Sequence, residues 1–287
     1  MIISKTIGIV GNGFVGSAVR YGFSPNVGVD AEVKVYDKDP NKSTHTLKEV
    51  VDSDVVFLSV PTPSNSDGSM NVDIVDNVLY DINQYTDLFE VGTILLRSTV
   101  TPGTTRKLQE KYPKLRIVFN PEFLTERSAN FDFINQSRFI LGGSSDDVIE
   151  VSELFRERFG SSLSIIETNY ETAELIKYMT NTFFATKISF LNDMKLLADK
   201  CGVIWEDAVE GFVRDGRVGH SHLNVPGHDG KYGFGGSCFP KDIQALINFG
   251  ESNDVDMSVL KGAWKTNLKV RPEKDWEQLK GRAVVDE

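Results

Sequence analysis

Gly233-Phe234-Gly235-Gly236-Ser237-Cys238-Phe239-Pro240-Lys241-Asp242 sets a thiol, an ammonium and a carboxylate within five residues, behind three glycines. Glycine lets backbone come close to a ligand, and positive φ costs it little. A thiolate is a far better nucleophile than a thiol, and a neighbouring lysine favours the thiolate. The stretch reads as a glycine-lined pocket with an activated nucleophile and charged helpers. The alternative is a glycine turn beside a buried structural cysteine.

A second constellation stands at the other end of the chain. Lys5-Thr6-Ile7-Gly8-Ile9-Val10, a short β-branched run, feeds Gly11-Asn12-Gly13-Phe14-Val15-Gly16 and then a helical pattern from Ser17 to Gly22. Strand, G-x-G-x-x-G, helix is the context in which this spacing binds a dinucleotide. Gly11 is expected to make the tight turn, Gly13 to admit a pyrophosphate to backbone amides, and Gly16 to let helix pack on strand. The helix N-terminus then offers partial positive charge to the phosphates. Val33-Lys34-Val35-Tyr36 reads as a second strand, ending in Asp37, 21 positions after Gly16. That carboxylate suits the ribose hydroxyls and repels a 2′-phosphate, which favours NAD over NADP.

The elements that must position these groups follow in order. Asp54 to Ser59 reads as a buried strand running into Val60-Pro61-Thr62-Pro63, whose prolines stiffen a loop. Gly92 to Arg97 runs into hydroxyl-rich Ser98-Thr99-Val100-Thr101-Pro102-Gly103-Thr104, and Arg116 to Phe119 into Asn120-Pro121-Glu122-Phe123-Leu124-Thr125-Glu126. Ligands bind at such C-terminal strand ends in open α/β sheets. By position, Glu122 and Glu126 are either a solvated helix start or acid–base groups. Helices are expected over Asn71–Tyr85 and Asp146–Phe159, and further strands over Arg138–Leu141 and Leu163–Ile166. Repeated βα units predict a Rossmann-like, doubly wound and mainly parallel sheet, an α/β fold.

From Tyr170 to about Cys201 the pattern is helical only, without Pro or Gly. Such a length predicts a connecting helix between two domains, or a dimer surface. It carries Lys177 and Asn181 at i and i+4, on one face. Further helices are expected over Trp205–Phe212, Ile243–Phe249 and Val259–Leu268, and a strand over Gly281–Asp286. The predicted division is an NAD-binding domain over 1–168, an all-helical central domain over 169–270, and the truncated start of a C-terminal domain over 271–287.

Composition narrows the classes. The 287 residues are 40% hydrophobic and 25% charged, which describes a soluble globular chain. No apolar run approaches the ~18 residues of a membrane span. Met1 to Val10 lacks a basic region and a cleavage site, so it reads as a strand. Two cysteines, Cys201 and Cys238, make no disulfide framework and point to a reducing cytoplasm. The net charge of −10 argues against nucleic acid but not against an anionic small ligand in a focused basic cleft. His220, His222 and His228 have neither the spacing nor the cysteine partners of a metal site, so no metal is expected.

Together these motifs resemble one family, the nucleotide-sugar 6-dehydrogenases, which include the UDP-glucose and GDP-mannose dehydrogenases. The resemblance runs from about Lys5 to about Leu268 and rests on Gly11 to Gly16, Val60 to Pro63, Ser98 to Val100, Asn120 to Leu124, the Lys177/Asn181 helix and Gly233 to Asp242. It implies oxidation of a sugar C6 alcohol to a carboxylate with two NAD reduced, UDP-glucose being the foremost substrate, in a homodimer.

By the same resemblance, Cys238 forms a thiohemiacetal and then a thioester, a covalent route that splits one hard oxidation into easier steps. Lys177 stabilises charge on the C6 oxygen, with Asn181 in the same region. Glu126 activates the hydrolytic water, and Thr99 and Asp242 position water near the thiol. For the first alcohol proton, Asp242 through water and Lys177 both remain open. NAD is implied at Gly11, Gly13, Phe14, Val15, Gly16, Asp37, Lys42, Pro61, Thr62, Ser98, Thr99 and Lys241. The sugar side is implied at Glu122, Phe123, Leu124, Glu126, Lys177, Asn181, Phe234, Gly235 and Gly236, and at Arg217 across a dimer interface. The family ordinarily continues for another hundred or so residues, in a nucleotide-gripping α/β domain. Two other classes fit part of the pattern: a β-hydroxyacid-type dehydrogenase, which has no use for a thiol, and a non-catalytic NAD-binding relic.

Overall fold

The computed structural model describes residues 1–286. They fall into two compact units: Met1–Thr62 with Val72–Lys177, and Pro63–Asn71 with Tyr178–Glu287.

In the first unit the chain alternates β1 (Ile7–Val10), α1 (Phe14–Gly22), β2 (Val33–Tyr36), α2 (Leu47–Val51), β3 (Val55–Leu58), α3 (Asp73–Asn83), β4 (Thr93–Leu96), α4 (Thr104–Lys111) and β5 (Ile117–Phe119). It continues through α5 (Ala129–Ile134), β6 (Arg138–Gly142), α6 (Ser145–Phe159) and β7 (Ser164–Thr168). The seven strands lie in the order β2-β1-β3-β4-β5-β6-β7. β1 to β5 pair in parallel. β6 meets β5 antiparallel through Phe119 and Gly142, and β7 then runs parallel to β6.

Successive residues of a strand face opposite sides of the sheet, and here both sides are apolar. Ile7, Ile9, Val55, Phe57 and Leu95 pack with Ala18, Val19, Phe139 and Phe155 on one side. Val10, Val56, Leu58, Ile94 and Leu96 pack with Val50, Val75, Leu79 and Leu108 on the other. Two-sided burial explains why β1, β3 and β4 read as continuous hydrophobic runs. The Rossmann-like, doubly wound sheet expected from the sequence is present. Because β2 and β3 flank β1, the winding reverses between β1 and β3, where a crevice opens at the strands' C-terminal ends.

The long helix is α7 (Tyr170–Cys201), 32 residues, and the division between the units falls within it, after Lys177. The second unit adds α8 (Trp205–Val213), α9 (Phe239–Glu251) and α10 (Ser258–Val270). Its cores are small: Ala185, Phe234, Ile243 and Ala263 form one, and Tyr178, Ala245 and Leu246 another, with Met70 against the latter.

Two expectations are corrected. α9 begins at Phe239, not Ile243, so Cys238 occupies its N-cap, with Pro240 among the first helical positions, where its missing N–H costs nothing. The strand expected over Gly281–Asp286 is a turn carrying isolated bridges from Val284 to Ser64 and to Lys280. Pro63, which has no N–H, directly precedes Ser64, and the pairing consists of Ser64 N–H to Ala283 and Val285 N–H to Ser64, at 2.9 and 3.0 Å.

Candidate active site

The glycine turn is built from the β1 end outward. Gly11 has φ +90°, and a Cβ there would lie 2.3 Å from the Ser59 carbonyl oxygen. A Cβ on Gly16 would lie 1.9 Å from the Gly11 carbonyl oxygen. Both positions therefore exclude a side chain for reasons internal to the fold. Gly13 differs, because a Cβ there meets nothing within 4 Å. It is the N-cap of α1 and faces open space at the positive end of a helix, the geometry that accepts a pyrophosphate. Phe14 packs partly into the core below, and Val15 is half-buried.

Asp37 closes this turn. Its carboxylate accepts the Asn12 N–H at 2.7 Å and the Asp39 N–H at 2.9 Å. The Asn12 side chain donates to the Lys42 carbonyl at 2.8 Å, so Lys42 meets the glycine loop through its backbone, while its exposed ammonium sits 3.9 Å from Asp39. A cavity of about 760 Å³ opens beside Asp37, with Lys38, Pro40, His45, Tyr85 and Leu88 in its wall. That size suits a cofactor-sized ligand.

The loops after β3 and β4 are latched together. The Ser98 hydroxyl accepts the Val60 N–H at 3.1 Å and donates to the Val60 carbonyl at 2.7 Å. The Thr62 hydroxyl donates to the Thr99 carbonyl at 2.8 Å. Ser98 and Thr62 are buried, whereas Pro61 is exposed.

Two charged clusters use the remaining groups. In the first unit, buried Lys177 donates to the Glu122 carbonyl at 2.5 Å and to its carboxylate at 2.9 Å. The other Glu122 oxygen accepts the Leu124 N–H at 2.7 Å. Lys177 and Arg138 both lie over the Phe123 ring, at 5.4 and 4.7 Å from its centre. Arg97, at the end of β4, is entirely buried between the Phe57 and Phe133 rings and donates to Asn120. Burial lowers its pKa to about 10, while the Glu122 charge acts the other way. Glu126 opens a short 3₁₀ turn and is exposed.

In the second unit the Asp242 carboxylate is divided between two donors. Lys241 Nζ reaches one oxygen at 2.6 Å, and Asn181 Nδ2 the other at 2.6 Å. All three residues are buried, so each carboxylate oxygen is oriented by a protein donor in a low-dielectric setting. Cys238 stands one helical turn before Asp242, where unpaired helix N–H groups favour an anionic sulfur. Its Sγ lies 3.8 Å from the Ser237 hydroxyl. Lys177 and Asn181 are both buried, so neither belongs to a solvated helix face.

Two sequence-predicted residues, Phe234 and Gly235, fall elsewhere than expected. The Phe234 side chain is core, and its N–H and C=O are both bonded to Asn267. Gly235 faces Arg271 and Asp275 instead of open space. Arg217 is almost fully exposed and closes on Asp215 at 2.5 Å. Sequence reading passed over Asn192, Asn267, Arg271 and Asp275, which hold the glycine-rich loop, and Glu174, which caps α4. The one available signal was Asn267, a residue with poor helix propensity inside an apolar helical pattern. Among the described residues no three His, Cys, Asp or Glu side chains group as metal ligands, and no helix is long and apolar enough to cross a membrane.

Comparison with known proteins fits this geometry. A UDP-glucose 6-dehydrogenase of Rickettsia prowazekii is 37% identical over 228 residues, covering 76% of this chain and 50% of the relative. The structure of a UDP-glucose dehydrogenase from Pyrobaculum islandicum superposes with a TM-score of 0.81 at 27% identity, covering 96% of this chain and 70% of that one. A 3-hydroxyisobutyrate dehydrogenase of Mycobacterium tuberculosis shares the fold, with a TM-score of 0.73 at 16% identity and 94% of each chain covered. The chain spans about half the length of several curated relatives it matches. Residues 41–159 match the NAD binding domain, and residues 171–269 the central domain, of a single family. With the glycine turn, Asp37 and the Cys238 helix cap in place, the chain belongs to the UDP-glucose/GDP-mannose dehydrogenase family, and its first unit is an NAD-binding domain.

Proposed function

We propose that this chain oxidises the C6 alcohol of a nucleotide sugar, UDP-glucose foremost, through the aldehyde to the carboxylate. The observation that carries the reading is Cys238 at the α9 N-terminus, one turn before a buried Lys241–Asp242–Asn181 cluster. A single alcohol oxidation has no use for such a thiol. NAD, held at the glycine turn and Asp37, supplies the hydride acceptor for both oxidations.

The residues then take distinct tasks. Cys238 adds to the C6 aldehyde, its sulfur forming the new C–S bond of a thiohemiacetal, and later holds the acyl group as a thioester. Lys177 places a positive charge at the developing C6 oxyanion. Glu126 takes a proton from the water that splits the thioester, releasing the carboxylate and the thiolate. Asp242, oriented by its two partners, positions water with Thr99. Arg217, directed to solvent in its own chain, serves the sugar of a second copy. Met179, Phe183, Phe190 and Leu197 are 59, 63, 49 and 57% exposed, and their spacing sets them along one stripe of α7, which suits a homodimer.

The test is NADH formed per UDP-glucose consumed, beside GDP-mannose and UDP-N-acetyl sugars. Two NADH per sugar is expected, and Cys238→Ser is expected to form no carboxylate. One NADH per sugar would leave a single-step dehydrogenase. Full turnover by Cys238→Ser would remove the thioester.

A further inference from the structure

The loop that delivers Cys238 is gripped at three backbone amides by side chains from three separate elements. Asn192 on α7 accepts the Gly233 N–H at 2.9 Å. Asn267 on α10 accepts the Phe234 N–H at 2.7 Å and donates back to the Phe234 carbonyl at 2.9 Å. Asp275, in the 3₁₀ turn that follows α10, accepts the Gly236 N–H at 3.1 Å.

Asp275 is itself held. Its other oxygen accepts from Arg271 Nε at 2.6 Å, while Arg271 Nη2 reaches Asp229 at 2.6 Å and Nη1 the Tyr232 carbonyl at 3.3 Å. The Arg271 side chain is only 4% exposed, so the guanidinium has no water to turn to.

The glycines fit around this grip. A Cβ on Gly235 would lie 2.5 Å from Arg271 and Asp275, and one on Gly233 2.3 Å from Asn267. Gly236, at φ +73°, would meet nothing within 4 Å. Two of the three glycines thus make room for protein, and only Gly236 presents backbone to open space, two residues before the thiol.

We propose that Asp275, locked by Arg271, is a positioning residue for Cys238: it fixes the Gly236 amide and so sets the loop that places the sulfur at the α9 N-terminus. Both residues lie beyond the stretch matched to the family's central domain, which ends at residue 269. The inference rests on Cys238 as nucleophile, and the test separates the two ideas. A thiol held at a helix end reacts as thiolate at lower pH than one on a loose loop.

The experiment measures the rate of Cys238 alkylation by iodoacetamide from about pH 6 to 9.5, in a Cys201→Ser background where Cys238 is the sole thiol. Asp275→Ala is expected to slow alkylation at neutral pH about fivefold and move the midpoint of the profile upward, with NAD affinity unchanged. Asp275→Asn, which keeps the shape but loses the charge, and Arg271→Lys, which keeps the charge but loses the three-armed fork, are expected to lie between parent and Asp275→Ala, and to lower kcat with little change in the KM for sugar. Alkylation profiles of Asp275→Asn and Arg271→Lys that overlay the parent's overturn the proposal, even where Asp275→Ala unfolds. Loss of turnover in Cys238→Ser concerns the nucleophile, and alkylation of the intact thiol concerns its placement.

Discussion

Glu174 is fully buried on α7, three residues before Lys177, and its two oxygens accept the Gly103 and Thr105 N–H groups at 2.6 and 2.7 Å. Those bonds fix the end of the hydroxyl-rich loop that carries Thr99. Burial nevertheless pushes the Glu174 carboxyl up from 4.5 to about 7, with Glu171 nearby adding to the rise. Between those values the folded protein holds a proton that the unfolded chain has released. This stabilisation is present at low pH and fades as pH rises through about 7. Glu174→Gln removes the titration. The melting temperature of the parent, measured against Glu174→Gln, is expected to fall between about pH 5 and 8, by the equivalent of about 3 kcal/mol. A constant difference across that range would show that Glu174 stays ionised throughout.

At the scale of the elements, the glycine turn divides into two kinds of position. Gly16 has no room, because its Cβ would fall 1.9 Å from a backbone oxygen that no rotamer can move. Gly16→Ala is expected to cost at least about 2 kcal/mol in a denaturant melt. Gly13→Ala, with open space around it and φ −77°, is expected to leave stability within about 0.5 kcal/mol of the parent. The same Gly13→Ala change is expected to weaken NAD about tenfold by titration calorimetry, since the added methyl occupies the phosphate approach. Equal melts for the two variants would show that the packing argument is wrong.

These elements also show what could be read in advance. The glycine turn, Asp37 and the βα alternation were legible because their constraints are local: a turn, a cap and a strand period lie within a few neighbouring residues. The α9 start was legible in Pro240 but was masked by the apolar pattern that strengthens at Ile243. The grip on the Cys238 loop was not legible. Asn192, Asn267 and Asp275 are common residue types, 41, 33 and 39 positions from their partners, and nothing local distinguishes them from solvated ones. Phe234 differs: the family resemblance implies it on the sugar side, and only the fold shows its ring packed into a core.

For the molecule as a whole, the second unit is not one continuous piece of chain. Pro63–Asn71 belongs to it, with Met70 against Tyr178 and Leu246, and Ser64 bridged to Val284. Residues 178–287 expressed alone are therefore expected to lose the cooperative thermal transition that circular dichroism should show for the intact chain. A sharp transition from that fragment would make the 63–71 segment dispensable.

The Ser64–Val284 bridge also orders events in time. On a ribosome the 63–71 segment emerges while the first unit's sheet is half made, and its bridge partner Val284 follows about 220 residues later. It must wait, apolar Met70 included, until Tyr178, Leu246 and finally Val284 have followed it out. A contact of such long sequence separation forms late and leaves its surface open meanwhile. The stretch ahead of α3 that begins at Pro63 is then open to chaperones and proteases during synthesis, between two strands that have already found their places.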